Sequence, residues 1–225
     1  MTKTHIKSGT KIIRVWDLPV RLFHWLLALM FFISWITAEM GGNAMGYHMW
    51  SGYVILGLLL FRVLWGLWGS ETARFSHFMH GPASVLSHAR TLLKPEYKTA
   101  AGHTPLGGWS VIALLTILAT QAISGLFAND DIANEGPLYH LVRKATSNVL
   151  SMVHQYSFNV LLGLVALHLA AIVFYRVKHS DNLIKPMLTG YKTVGENSNE
   201  PKQSNFHLAI VLVLVAIGTV YFVVT

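Results

Sequence analysis

Apolar residues in this chain gather in long blocks instead of alternating with polar ones. Five blocks, 18–38, 47–69, 106–128, 148–176 and 206–225, are each long enough to cross a hydrocarbon layer of about 30 Å as an α-helix. The pattern predicts an all-α integral membrane protein. Its connections are short except for two, and the stretch 195–204, rich in Asn, Glu and Ser, reads as a flexible linker. The expected organisation is therefore a four-helix transmembrane domain over 1–190, a cytoplasmic linker over 191–205 and one additional C-terminal transmembrane helix at 206–225. The first block could instead be a secretory signal. It is longer than a usual signal core, carries His24 at its entrance and lacks a clear A-x-A site, so a retained helix is expected.

Composition agrees with a membrane protein, since 53% of the residues are hydrophobic and only 12% are charged. Cysteine is absent, which excludes disulfides, thiolate-held iron–sulfur clusters and covalent c-type haem attachment. The formal charge of +7 could point to nucleic acid, but the basic residues sit beside the apolar blocks, where they set topology. Lys3, Lys7, Lys11, Arg14 and Arg21 precede or open the first span. Arg74, Arg90, Lys94 and Lys98 follow the second, and Arg176, Lys178, Lys185, Lys192 and Lys202 follow the fourth. The other side carries Arg143 and Lys144 against Glu39, Asp130, Asp131 and Glu135. The N-terminus is expected to be cytoplasmic and, after five spans, the C-terminus external.

Orientation assigns depths to four histidines within or beside the spans. His24 and His168 fall toward the cytoplasmic side, His48 and His154 toward the outside. His154 and His168 are fourteen residues apart on one helix, an advance of about 21 Å with a rotation about 40° short of four turns, so both lie on nearly one face. A lone histidine near a helix end is usually interfacial or satisfied by a carbonyl. Four at paired depths read differently, because ionisable groups inside a membrane are costly and tend to be functional. The pairs His24/His168 and His48/His154 are expected to ligate two haem b irons, one at each depth. Ligation from both faces leaves no open position on iron, so such centres transfer electrons and perform no bond chemistry.

Other residues are weaker candidates. Arg62 follows His48 by fourteen residues and so lies on its face at the inner depth, where it would pair with a haem propionate or snorkel to the surface beside Trp65 and Trp68. Arg14 and Arg21 flank the inner site, mainly as topology determinants. Gly52, one turn from His48, is the best candidate for haem clearance. Gly57, Gly125 and Gly163 read as packing residues. Trp16, Trp25, Trp50, Trp109 and Tyr175 read as an interfacial belt. His5, His77, His80, His88, His103, His140, His179 and His207 lie outside the spans or at their edges; His77 and His80 have metal-like spacing, but no completing carboxylate or cysteine is evident nearby. The segment 73–93 could lie along the inner surface as an amphipathic helix.

The run Val15-Trp16-Asp17-Leu18-Pro19-Val20-Arg21-Leu22-Phe23-His24-Trp25 resembles the opening of the bacterial cytochrome b561 and nickel-iron hydrogenase cytochrome b family. His48-Met49-Trp50-Ser51-Gly52-Tyr53, Leu60-Phe61-Arg62-Val63-Leu64-Trp65-Gly66, the His154 to His168 helix and Asp181-Asn182-Leu183 resemble its later helices. The resemblance covers roughly residues 12 to 190. It implies a four-helix bundle with two b-type haems on His24, His48, His154 and His168, in an inner membrane, passing electrons between ubiquinone or menaquinone and an external partner. Residues 75–82 and Met187-Leu188-Thr189-Gly190 look most like members associated with c-type cytochromes. The fifth helix departs from the family pattern and leaves oligomeric state open.

The leading expectation is electron transfer between the quinone pool and a periplasmic c-type cytochrome or similar redox protein. Alternatives are a superoxide:quinone oxidoreductase, with Arg143, Lys144 and His140 as a local funnel, and a hydrogenase b-type subunit. A haem-free transporter or assembly subunit is the reading from another class; it would call for broken helices or internal symmetry, and neither is apparent.

Overall fold

A computed structural model describes residues 9–92 and 102–225, so Lys3, His5, Lys7, Leu93, Lys94 and Lys98 lie outside the described residues. In chain order the described elements are β1 (Thr10–Arg14), α1 (Leu18–Met40), α2 (Met45–Trp68), α3 (Phe75–Phe78), α4 (Pro82–Thr91), α5 (Pro105–Gly125), α6 (Lys144–Lys178), α7 (Ile184–Thr189), β2 (Tyr191–Gly195) and α8 (Phe206–Val224). Helices α1, α2, α5, α6 and α8 are long and apolar enough to cross a membrane. They match the five apolar blocks to within a few residues at each end, and α6, at about 52 Å, is long enough to project beyond the hydrocarbon.

Local chemistry sets where these helices begin. Asp17 caps α1 by accepting the Val20 N–H at 2.7 Å, with Pro19 in the first turn. Thr104 caps α5 through the Gly107 N–H at 3.1 Å, and Asn205 caps α8 through the His207 N–H at 3.0 Å. Helix α5 ends at Gly125, three residues before the apolar block does. Residues 126–128 turn away, held by Leu138 N–H to Leu126 O and Gly136 N–H to Ala128 O, both 2.8 Å.

The bundle consists of two helix pairs, α1 with α2 and α5 with α6, joined along α2 and α5. Helix α8 packs on α2, burying Ala209, Leu212 and Ala216. The family-like four-helix core thus gains its fifth helix as a directly packed neighbour. Many large apolar side chains on these helices stay exposed, Leu29, Phe32, Val160, Leu167 and Leu214 among them, as lipid-facing surfaces require.

The end of the bundle that carries His24 is closed by a cap absent from the all-helical expectation. Strand β1 pairs antiparallel with β2, Thr10 opposite Gly195 and Arg14 opposite Tyr191. The linker expected over 191–205 therefore opens as a strand, ahead of the stretch 195–204 expected to be flexible. Its remainder is tied back as well: Glu71 N–H donates to Lys202 O at 3.0 Å, Lys202 N–H to a Glu71 carboxylate oxygen at 2.7 Å, and Ser204 N–H to Ser70 Oγ at 3.0 Å. Backbone polar groups near a membrane need partners, and here the two ends of the family-like region supply them to each other. Residues 73–93 also differ from a single amphipathic helix. Pro82 starts a new helix and Phe78 turns into the core at 1% exposure, so the segment divides into α3 and α4.

The motif residues after α6 explain how the cap locks. Asp181 forms a buried ion pair with Lys192 at 3.0 Å, and Asn182 accepts the N–H groups of Ile184 and Lys185, both at 3.1 Å, to start α7. Gly190 ends α7 at φ +88°, a left-handed conformation, and its carbonyl accepts both Val15 N–H at 2.8 Å and Trp16 N–H at 3.1 Å. A Cβ at Gly190 would stand 2.8 Å from Trp16 O. Gly190→Ala is therefore expected to lower stability by about 1–2 kcal/mol from the backbone conformation alone, with more from that contact. Thermal unfolding in detergent measures it.

Candidate functional site

At the end of the bundle opposite the cap, His48 of α2 and His154 of α6 face each other with ring centroids 6.0 Å apart and planes at 90°. Each imidazole is fixed by a main-chain carbonyl. His48 Nδ1 lies 2.9 Å from Ser34 O and His154 Nδ1 lies 2.8 Å from Gln121 O. A carbonyl can only accept, so both Nδ1 atoms carry the proton and both Nε2 atoms keep their lone pair, the arrangement a metal-binding histidine adopts. Two imidazoles bound to one metal through bonds of about 2 Å have centroids about 6 Å apart. The observed separation fits a bis-histidine haem.

Gln121 does more than offer its carbonyl. Its side-chain amide nitrogen stands 3.1 Å from His154 Nε2, while its Oε1 accepts a hydrogen bond from the Ser157 hydroxyl. Gly125 gives the His154 ring room against α5: a Cβ there would come within 2.8 Å of His154 Cε1. Gly52, the residue expected to provide clearance, faces open space. Ser34, Gln121, Ser157 and Gly125 were not singled out as site residues from the sequence. A lone amide inside an apolar span was the available signal for Gln121.

Nearer the cap, His24 of α1 and His168 of α6 are both half-buried and interact electrostatically. His24 Nδ1 is closed off from solvent without a hydrogen-bond partner, and its ring meets Trp25 edge-on at 5.1 Å. An imidazole nitrogen shut from solvent with no hydrogen-bond partner is left free for a group bound there. Among the described residues no cluster of three His, Cys, Asp or Glu could hold a bare metal ion.

Around this second pair the arginines divide. Arg62 is 3% exposed, so it does not snorkel; its guanidinium lies 5.2 Å from the Phe75 ring and 5.8 Å from the Phe78 ring, and Nη1 is buried without a partner. Asp17 is the carboxylate whose charge it feels, and Asp17 also accepts Trp65 Nε1–H at 3.0 Å. Arg21 donates to Leu188 O and Trp25 Nε1–H to Met187 O at 3.2 Å, clamping α7 to α1. Arg14 belongs to β1; its main-chain N–H reaches Glu200 at 3.3 Å and its carbonyl accepts from Gln203 at 3.3 Å. Trp16 belongs to the core rather than to an interfacial belt, whereas Trp50 and Trp109 are exposed as a belt requires.

His103 also departs from expectation. Although an edge stays exposed, its Nδ1 is shut from solvent and its ring packs between Trp16 at 4.7 Å and Phe78 at 4.6 Å. Desolvation, and next the neighbouring Arg62 charge, push its pKa down to about 3, against an upward pull from a hydrogen bond with the Thr72 main chain. The unfolded chain protonates this histidine below about 6.5. The unfolded state thus binds the extra proton between that value and about 3. Stability is full above this window and falls as pH drops through it. Thermal unfolding at pH 7.5 and pH 5 is expected to show the loss, and His103→Phe to reduce the difference. His77, thought to lack a carboxylate nearby, has Glu71 at 3.3 Å.

On the far side of the bundle, Asp130 accepts the main-chain N–H groups of Ile132, Ala133 and Asn134, each at 2.9 Å, and the Asn134 side chain at 2.5 Å. These bonds, that of the Asn134 side chain first, hold its carboxyl well below the usual range. Lys144 pairs with Asp131 and donates to Asn129 Oδ1 at 3.0 Å.

The description prokaryotic cytochrome b561 matches residues 15–190, more than three quarters of the chain. The chain belongs to the prokaryotic cytochrome b561 family. The matched stretch begins at Val15, whose N–H binds Gly190 O, and ends at Gly190 itself. No curated protein and no solved structure matches the chain. As a cytochrome b561 family member it is a multi-pass membrane protein in contact with lipid, a b-type cytochrome that binds haem and transfers electrons.

Proposed function

We propose that this cytochrome carries electrons across the bacterial inner membrane between the quinone pool and a periplasmic redox partner such as a c-type cytochrome. Its two haem b groups would be held by His48 and His154 on the outer side and by His24 and His168 on the inner side. The N-terminus is then cytoplasmic and the C-terminus periplasmic, following the distribution of Lys and Arg. The observation that carries the reading is the His48–His154 pair, 6.0 Å apart with both Nδ1 atoms engaged by carbonyls.

Bound haem supplies a one-electron iron couple. The chain's own residues do the rest. His154 and His168 come from one rigid helix, which fixes the interval between the two sites, while His48 and His24 come from the opposing helix pair. Arg62, buried with Nη1 unpartnered, suits a propionate of the inner haem, and Asp17 balances its charge. Arg21 is partly engaged by the Leu188 carbonyl and Arg14 is tied into β1 through its main chain, whereas Arg62, at 3% exposure, is the more buried guanidinium and the stronger candidate. Gly52 opens space one turn from His48.

The superoxide alternative relies on Lys144 as part of a cationic funnel. Its pairing with Asp131 weakens that role. A reduced-minus-oxidised absorbance spectrum of the purified chain, quantified against protein, tests the proposal. Two b-type haems per chain are expected, reducible by a quinol and reoxidised by a c-type cytochrome; absence of a b-type band overturns it.

A further inference from the structure

We infer that Gln121 is a positioning residue for the outer centre, setting the orientation of His154 and the electrostatic field at its ring. The inference rests on the assignment of His48 and His154 as a haem-ligating pair. Three contacts converge on this residue, one through its main chain and two through its side chain. The Gln121 carbonyl holds His154 Nδ1–H at 2.8 Å, the Gln121 amide nitrogen meets His154 Nε2 at 3.1 Å, and Ser157 anchors the amide oxygen. Gly125, one turn further along α5, leaves room for the ring to lie against the helix, since its Cβ would meet three ring atoms within 4 Å. Ser157 is itself buried and stands one turn after His154, so clip and ligand share a face of α6.

The carbonyl selects the tautomer and orients the imidazole. The amide acts differently. A metal at Nε2 takes that lone pair from the amide, but the Ser157 tether keeps the amide dipole beside the ring. An N–H donor there, in surroundings of low dielectric, stabilises the more electron-rich state of the centre and raises its potential. The inner pair has no such clip: His24 Nδ1 has no partner. Gln121 therefore favours the reduced state of the outer centre, as the buried Arg62 charge does at the inner one.

Redox titration of the haem-loaded wild type, Gln121→Leu and Ser157→Ala, together with low-temperature electron paramagnetic resonance, tests this. In Gln121→Leu the outer component is expected to fall in potential, with the oxidised-to-reduced ratio at fixed ambient potential rising about threefold, ~28 mV at ~59 mV per tenfold for one electron. The outer low-spin signal should shift and the inner component should stay in place. Ser157→Ala, which keeps Gln121 but frees its amide, should move the outer component the same way by less, and gives the test a second arm if Gln121→Leu loses haem. Unchanged outer potential and signal in the haem-loaded variants overturn the role of Gln121. A wild-type chain with fewer than two haems overturns the paired-site reading beneath it.

Discussion

Replacing His154 by Leu is expected to remove one of two b-type haems and leave the other with its spectrum intact, halving the reduced-minus-oxidised absorbance per protein. His168→Leu should do the same to the other haem. The expectation follows from the position of both residues on α6 with partners on different helices, His48 on α2 and His24 on α1. Loss of an axial imidazole leaves the facing histidine as a single ligand, and the fourteen-residue interval places the second site about 21 Å away, too far to share the damage. His48→Leu should reproduce His154→Leu, and His24→Leu should reproduce His168→Leu. Loss of both haems from any single variant, with the fold retained, would reject independent pairs. Two surviving haems in either α6 variant would reject the ligand assignment.

The second large effect is expected at Asp17. One carboxylate, 4% exposed, accepts the Val20 N–H at the start of α1 and the Trp65 Nε1–H of α2, and stands as counter-charge to Arg62. Asp17→Ala removes a helix cap worth about 1 kcal/mol and strands a buried indole N–H. It also removes a carboxylate charge that acts on the buried Arg62 guanidinium from beyond ion-pair distance. These effects overlap, so a total of about 2–4 kcal/mol is the expected loss, a large fraction of the stability of many proteins. Asp17→Asn loses the charge and keeps one acceptor oxygen, for either the Val20 N–H or the Trp65 Nε1–H, since the other position becomes an NH2 donor. Thermal unfolding should rank wild type above Asp17→Asn and Asp17→Asn above Asp17→Ala. Asp17→Asn as stable as the wild type would show that Arg62 draws its compensation from elsewhere.

The spans were legible in the sequence because apolar blocks near twenty residues have few alternatives to a membrane helix. That His48 and His154 share one end of the bundle was legible because successive spans run in opposite directions, which fixes the helix ends that meet. Asp17 was legible only as part of a family-like run. Its partners Val20, Trp65 and Arg62 lie up to 48 residues away, and no local period announces an indole bonded to a helix cap. His103 passed for a surface histidine because it lies just outside a span, yet the folding of α3 brings Phe78 onto one side of it and Trp16 onto the other. The strand pairing escaped for a similar reason. Five-residue segments such as Thr10–Arg14 and Tyr191–Gly195 gain meaning only from each other. Gln121 and Ser34 act on the histidines partly through main-chain carbonyls, which every residue possesses, so side-chain type alone could not have selected them.

The antiparallel register of Thr10 with Gly195 has a consequence for biogenesis. The first strand leaves the ribosome long before its partner exists, and four spans must enter the membrane before Tyr191–Gly195 can reach it. Val15 and Trp16 wait equally long for the Gly190 carbonyl. Until then the mouth of the bundle beside His24 and His168 stays open. Closure of the ribbon is thus a late event in assembly, and the cap folds only after the four helices it covers are in place.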